Sequence, residues 1–160
     1  MDKYRIMFVC HGNICRSPMA EFVFKKIAET NGKSERFIIA SSATSTEEII
    51  CGKGNPVYPP AKEMLLSKGI VCDGKRAIQL KKDDWDKYDI FIGMDSANIR
   101  NMKAILGKND DFKIRKLMSF AGKLSDVADP WYSGKFDVAY NDILEGCEGL
   151  WKELEKQKVL

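Results

Sequence analysis

The chain has 160 residues, enough to bury a core of its own, and 44% hydrophobic against 31% charged residues marks an ordinary globular protein. Its 26 basic and 23 acidic side chains leave a net charge of only +3, with the signs interspersed, which excludes an electrostatic case for nucleic acid. No stretch approaches the roughly 20 apolar residues of a membrane span, the start lacks a signal-peptide core, and five irregularly spaced cysteines make no secreted disulfide framework, so a reducing, cytoplasmic setting is predicted.

In chain order, the apolar run Tyr4 to Val9 predicts a buried parallel strand. The segment Cys10 to Ser17 then predicts a loop, and Pro18 opens a helix carrying Met19, Phe22, Val23 and Ile27 at helical spacing, closed by Gly32. Phe37 to Ala40 reads as a second strand. Ser41 to Pro60, rich in Ser, Thr, Gly and Pro, reads as an irregular loop long enough to be functional. A helix opens at Pro59-Pro60 and ends at Gly69. Tyr88 to Gly93 is a third strand, followed by a helix through Ile99, Met102 and Leu106 that ends at Gly107. Phe112 to Leu117 reads as a fourth strand. After the turn-rich stretch 121–134, a long helix carries Tyr140, Ile143, Leu144, Cys147, Leu150, Trp151 and Leu154 on one stripe. Alternating strands and helices predict one α/β domain over residues 1–160, in three α/β/α layers around a four-stranded parallel sheet. Ligands of such sheets bind beyond the carboxyl ends of the strands, where the Cys10 loop lies.

That loop, Cys10-His11-Gly12-Asn13-Ile14-Cys15-Arg16-Ser17-Pro18, has the chemistry of a phosphate cradle with a nucleophile in it. A dianionic phosphate needs backbone N–H donors, which a tight loop and the following helix N-terminus supply. Gly12 allows close backbone approach, Asn13 tolerates left-handed dihedrals, and Arg16 can fork onto two phosphoryl oxygens. A free thiol titrates near ~8.5, and cysteines at helix N-termini or beside cations fall to roughly 3.5–7.5, which predicts an ionised Cys10. Ser17 can donate to that sulfur. A zinc site from Cys10, His11 and Cys15 has the wrong spacing and no second ligand pair, so no metal or other cofactor is predicted. His11, the only histidine, is a weak candidate for a base, because loop amides that face an anion turn the side chains outward.

Together with Met19-Ala20-Glu21, Ser42-Ala43-Thr44-Ser45, Gly54-Asn55-Pro56, Met94-Asp95 with Asn98, and Asp129-Pro130-Trp131-Tyr132, this loop resembles the low-molecular-weight protein tyrosine phosphatase family along nearly the whole chain. The resemblance implies hydrolysis of phosphotyrosine through a phosphocysteine. It makes Cys10 the nucleophile, Arg16 the phosphate-binding arginine and Asp129 the general acid and then base. Asn13 holds the loop and Ser17 supports the thiolate. Trp131 and Tyr132 wall the phenyl ring, and Cys15 can form a reversible disulfide with Cys10. It also implies phosphotyrosine-protein substrates, inhibition by phosphate, vanadate or sulfate-like oxyanions, and a monomer. Beside the resemblance stands a physical need: a tyrosine oxygen is a poor leaving group, so protonating it is worth ~100- to 10,000-fold.

Two stretches depart from the family pattern. Lys75 and Ile78 in Lys75-Arg76-Ala77-Ile78-Gln79 replace a loop-bracing histidine and an arginine, leaving the brace open. The loop from Thr46 to Gly54 lacks the aromatic of the second cleft wall, for which Tyr58 is the substitute at hand. Competing readings are a phosphoarginine phosphatase of the same scaffold, which favours threonine where Ile14 stands, and an arsenate reductase of the same fold, which uses paired downstream cysteines where Cys72 stands alone. A non-catalytic phosphopeptide-binding module fits less well with an intact nucleophile and acid.

Overall fold

In the computed structural model, which describes residues 2–160, strand β1 (Tyr4–Cys10) occupies an inner position of a four-stranded sheet. Strand β2 (Phe37–Ala43) flanks it on one side and β5 (Ile90–Gly93) on the other, with β6 (Ile114–Lys116) beyond β5, all parallel. Side chains of β1 alternate between two cores. Ile6, Phe8 and Cys10 face helices α1 (Arg16–Thr30), α2 (Pro59–Ser67) and α5 (Phe136–Lys156), whereas Met7 and Val9 face Met102 and Leu106 of α3 (Ser96–Leu106). The strand is buried on both faces, as its unbroken apolar run requires. The predicted four-stranded α/β/α architecture is the observed one. None of the described helices is long and apolar enough to cross a membrane.

Three local differences matter. Helix α1 starts at Arg16, two residues before Pro18, because proline is harmless in a first turn whose N–H groups have no helical partner. The stretch read as irregular contains a small hairpin, β3 (Ile49–Ile50) with β4 (Lys53–Gly54). Cys51 and Gly52, with φ of 53° and 77°, turn it as the two left-handed residues of a type I′ turn. A further short helix, α4 (Pro130–Ser133), follows Asp129.

Helix α5 packs tightly on the single-turn helix Leu117–Ala121. A Cβ added at Gly149 would lie 2.1 Å from the Phe120 carbonyl oxygen. Backbone cannot swing aside as a flexible side chain does, so Gly149→Ala is expected to cost about 1–3 kcal/mol. Thermal unfolding should then occur roughly 3–10 °C lower. An unchanged midpoint would mean that helix and turn part without cost.

Candidate active site

The loop between β1 and α1 lies at the carboxyl end of the sheet, where connections from β1 and β5 depart in opposite directions. Cys10 is the last residue of β1 and is buried. Its Sγ faces three donors: Ser17 Oγ at 3.0 Å, the Asn13 N–H at 3.3 Å and the Ser17 N–H at 3.4 Å. Asn13 adopts φ 60°, the left-handed conformation its side chain tolerates, and bends the loop so that its amide points at the sulfur. Its own side chain is buried and donates to Ser17 Oγ at 2.7 Å and Ser41 Oγ at 3.0 Å, while its oxygen accepts from the Ile78 N–H at 3.1 Å. Gly12 lies against Glu48, whose Cγ would stand 3.2 Å from an added Cβ. Helix α1 has no side-chain cap; its Ser17 N–H is turned to the sulfur and Pro18 has none, which leaves the Arg16 N–H for an anion.

Arg16 is only 3% exposed. Its Nη1 donates to Asp95 Oδ2 at 2.7 Å and to the Val127 carbonyl at 2.8 Å, and its Nη2 lies 3.5 Å from Asp129 Oδ2. Burial alone would lower its pKa, but the negative groups Cys10, Asp95 and Asp129 outweigh that and raise it, so the guanidinium stays charged. Asp129 caps α4, with Oδ1 accepting from the Trp131 N–H at 3.0 Å, and its other oxygen is left toward Arg16. The loop bearing it is tied to the sheet by the Val127 N–H, which donates to the Met94 carbonyl at 2.9 Å.

The cleft is lined by Cys10 to Arg16, Glu47, Glu48, Asp129, Trp131 and Tyr132. All sequence-predicted site residues except Ser17, which sits behind the sulfur, therefore meet at one opening. Trp131 and Tyr132 are exposed on its rim. His11 lies at the cleft wall, with Nε2 3.0 Å from Glu47 Oε2. Cys15 is buried, and burial, with the nearby Cys10, pushes its thiol pKa well above the ordinary range. It rests protonated beside the nucleophile.

Tyr58 does not replace the missing wall. Its N–H donates to the Ile14 carbonyl at 2.9 Å, and its ring packs 4.6 Å from that of Trp131 and 6.0 Å from that of Phe136, behind the cleft. The far wall is acidic instead, made by Glu47 and Glu48, the latter accepting from the Asn55 side chain at 2.7 Å. Lys75, the residue at the family's histidine position, reaches the loop's support from behind, donating to the Ser41 carbonyl at 2.9 Å.

Sequence reasoning gave no role to Asp95 or to the Val127 carbonyl, the two groups that aim Arg16. The signature Asp95-x-x-Asn98 marks a helix cap, and Asp95 Oδ1 does accept from the Asn98 N–H at 2.7 Å. Nothing local reveals that its second oxygen serves an arginine.

A profile of the low molecular weight phosphotyrosine protein phosphatase family matches residues 5–160. The low molecular weight protein-tyrosine-phosphatase YfkJ of Bacillus subtilis is 36% identical over 157 residues, covering 97% of this chain and 98% of that protein. Its crystal structure superposes with a TM-score of 0.91, at 35% identity and with 99% and 98% of the two chains covered. The low molecular weight phosphotyrosine protein phosphatase of Mus musculus is 36% identical over 148 residues, 89% of this chain and 90% of its own. A drosophila arginine phosphatase is also similar in structure, with a TM-score of 0.80, 26% identity and coverage of 92% and 96%.

Proposed function

The chain belongs to the low molecular weight phosphotyrosine protein phosphatase family and is a protein-tyrosine phosphatase, and we propose that its reaction runs through a phosphocysteine formed on Cys10. The observation that supports this most is the convergence of Arg16 on both the Cys10 loop and Asp129, 113 positions away in the chain. The phosphotyrosine dianion seats on the loop amides and on the free edge of the Arg16 guanidinium, the other edge being held by Asp95 and Val127. Phosphate draws Arg16 from Asp129, whose carboxyl, now beside a dianion, takes up a proton. The Cys10 thiolate attacks phosphorus as the bond to the tyrosine oxygen breaks, and Asp129 protonates the departing phenol. The Asp129 carboxylate then takes a proton from water as that water attacks phosphorus, releasing inorganic phosphate and the thiolate. Trp131 and Tyr132 flank the phenyl ring, with Tyr58 backing Trp131. Free phosphate, vanadate and sulfate-like oxyanions compete for the same cradle. The substrates are phosphotyrosine proteins, and a reducing, cytoplasmic setting suits its five free thiols.

Side-by-side hydrolysis of phosphotyrosine, phosphoserine and phosphoarginine peptides, with arsenate reduction as control, tests this reading. Phosphotyrosine is expected to dominate, because Ile14 presents an apolar side chain to the cleft and two aromatic rings stand at its rim. Preference for phosphoarginine would overturn it.

Cys15 is proposed as a redox guard. Peroxide converts the Cys10 thiolate to a sulfenic acid, whose oxygen leaves as water when the Cys15 sulfur displaces it to form a disulfide, and dithiothreitol reduces that bond. Wild-type activity is expected to return after mild peroxide and dithiothreitol, whereas Cys15→Ser should lose activity irreversibly several times faster. Equal recovery of the two proteins would reject the guard.

A further inference from the structure

A buried polar chain runs behind the phosphate loop, on the side away from the cleft. Asn13 has its amide fixed by the Ile78 N–H, so both of its own N–H groups point to serines, Ser17 and Ser41. Each serine has one proton to give. Ser41 gives its proton to Glu21 Oε1, at 2.6 Å. Ser17 already accepts from Asn13, so its proton is left for the Cys10 sulfur at 3.0 Å, the other acceptor in reach being the Ser42 carbonyl at 3.5 Å. Asn13, fixed by Ile78, thus sets the direction of the chain toward the sulfur, and Glu21 receives the proton at its Ser41 end. Ser17 and Ser41 are inaccessible to solvent, and Glu21 is 5% exposed.

Two ammonium groups meet Glu21. Lys25 Nζ lies at 2.6 Å but is 42% exposed, so water shares its charge. Lys75 Nζ lies at 3.8 Å, is 11% exposed, and is fixed by its bond to the Ser41 carbonyl. One buried carboxylate therefore faces two cations, and the surplus positive charge sits behind the loop that holds the thiolate. We propose that Lys75 is a positioning residue for Cys10, its ammonium serving as the buried countercharge that keeps the sulfur ionised. Burial lowers the Lys75 pKa and Lys25 lowers it further, while Glu21 and the Cys10 thiolate hold it up. That last attraction is mutual: what the thiolate does for the ammonium, the ammonium does for the thiolate.

The inference rests on Cys10 as the nucleophile, and its test reads the sulfur rather than turnover. Iodoacetamide modification of Cys10, followed by mass spectrometry across pH, gives the midpoint of thiolate formation. Lys75→Gln keeps a donor for the Ser41 carbonyl but removes the charge. It is expected to move the midpoint up by at least about half a unit, roughly threefold less thiolate below it. Lys75→Arg should stay near wild type. Glu21→Gln leaves the Lys75 charge unopposed and should move the midpoint down, so it decides the matter if Lys75→Gln does not fold. Damage to the loop alone would not produce shifts of opposite sign. A midpoint unmoved by the lysine or the glutamate substitution overturns the role of Lys75, whereas turnover by Cys10→Ser would overturn the thiol mechanism itself.

Discussion

Cys10→Ser is expected to lower turnover of phosphotyrosine by at least about 10,000-fold while leaving the protein able to bind phosphate or vanadate. A serine hydroxyl keeps its proton at neutral pH, and Ser17, the side chain hydrogen-bonded at the sulfur's position, is no base to remove it. The cradle is made of other groups. The Arg16 N–H at the start of α1 and the Arg16 guanidinium, tethered by Asp95 and the Val127 carbonyl, make no bond to the sulfur. Steady-state hydrolysis and calorimetric titration with vanadate read the two halves separately. Retained turnover would sink the thiol mechanism, and lost binding would mean that the sulfur itself organises the loop.

Asp129→Ala should reveal its role by how the loss depends on the leaving group. For phosphotyrosine, whose phenol departs poorly without a proton, a loss of about 100- to 10,000-fold in kcat is expected. For aryl phosphates whose phenols are already acidic, the loss should be far smaller, because the oxygen leaves as an anion. Loss of the cap on α4 also frees the Trp131 N–H, so KM is expected to rise for both substrates. The two effects separate: a cap defect moves KM for both, an acid defect moves kcat for one. Equal losses in kcat across leaving groups would remove Asp129 as the acid.

Much of this was legible in the residues because its signals are local. Cys10, Gly12, Asn13, Arg16 and Ser17 sit within one turn between a strand and a helix, and apolar runs punctuated by Gly107 or Pro59-Pro60 announce their elements. What stayed hidden is tertiary. Asp95 meets Arg16 across 79 positions and Lys75 meets the Ser41 carbonyl across 34, each an ordinary polar residue in its own neighbourhood. The β3–β4 hairpin has two residues per strand, too few for an alternating pattern to register. Tyr58 illustrates a different limit: its aromatic character was plain, but its backbone bond to Ile14 decides which side of the cleft wall the ring occupies.

Cys10 ends a strand whose last five residues are buried, while groups around the opening are exposed: Glu47, Trp131 and Tyr132. Changes at the nucleophile therefore disturb core packing, whereas changes at the rim touch little that holds the fold together. Over evolutionary time such a protein can exchange one set of clients for another by altering surface residues, with its chemistry held in place by the same selection that preserves its stability.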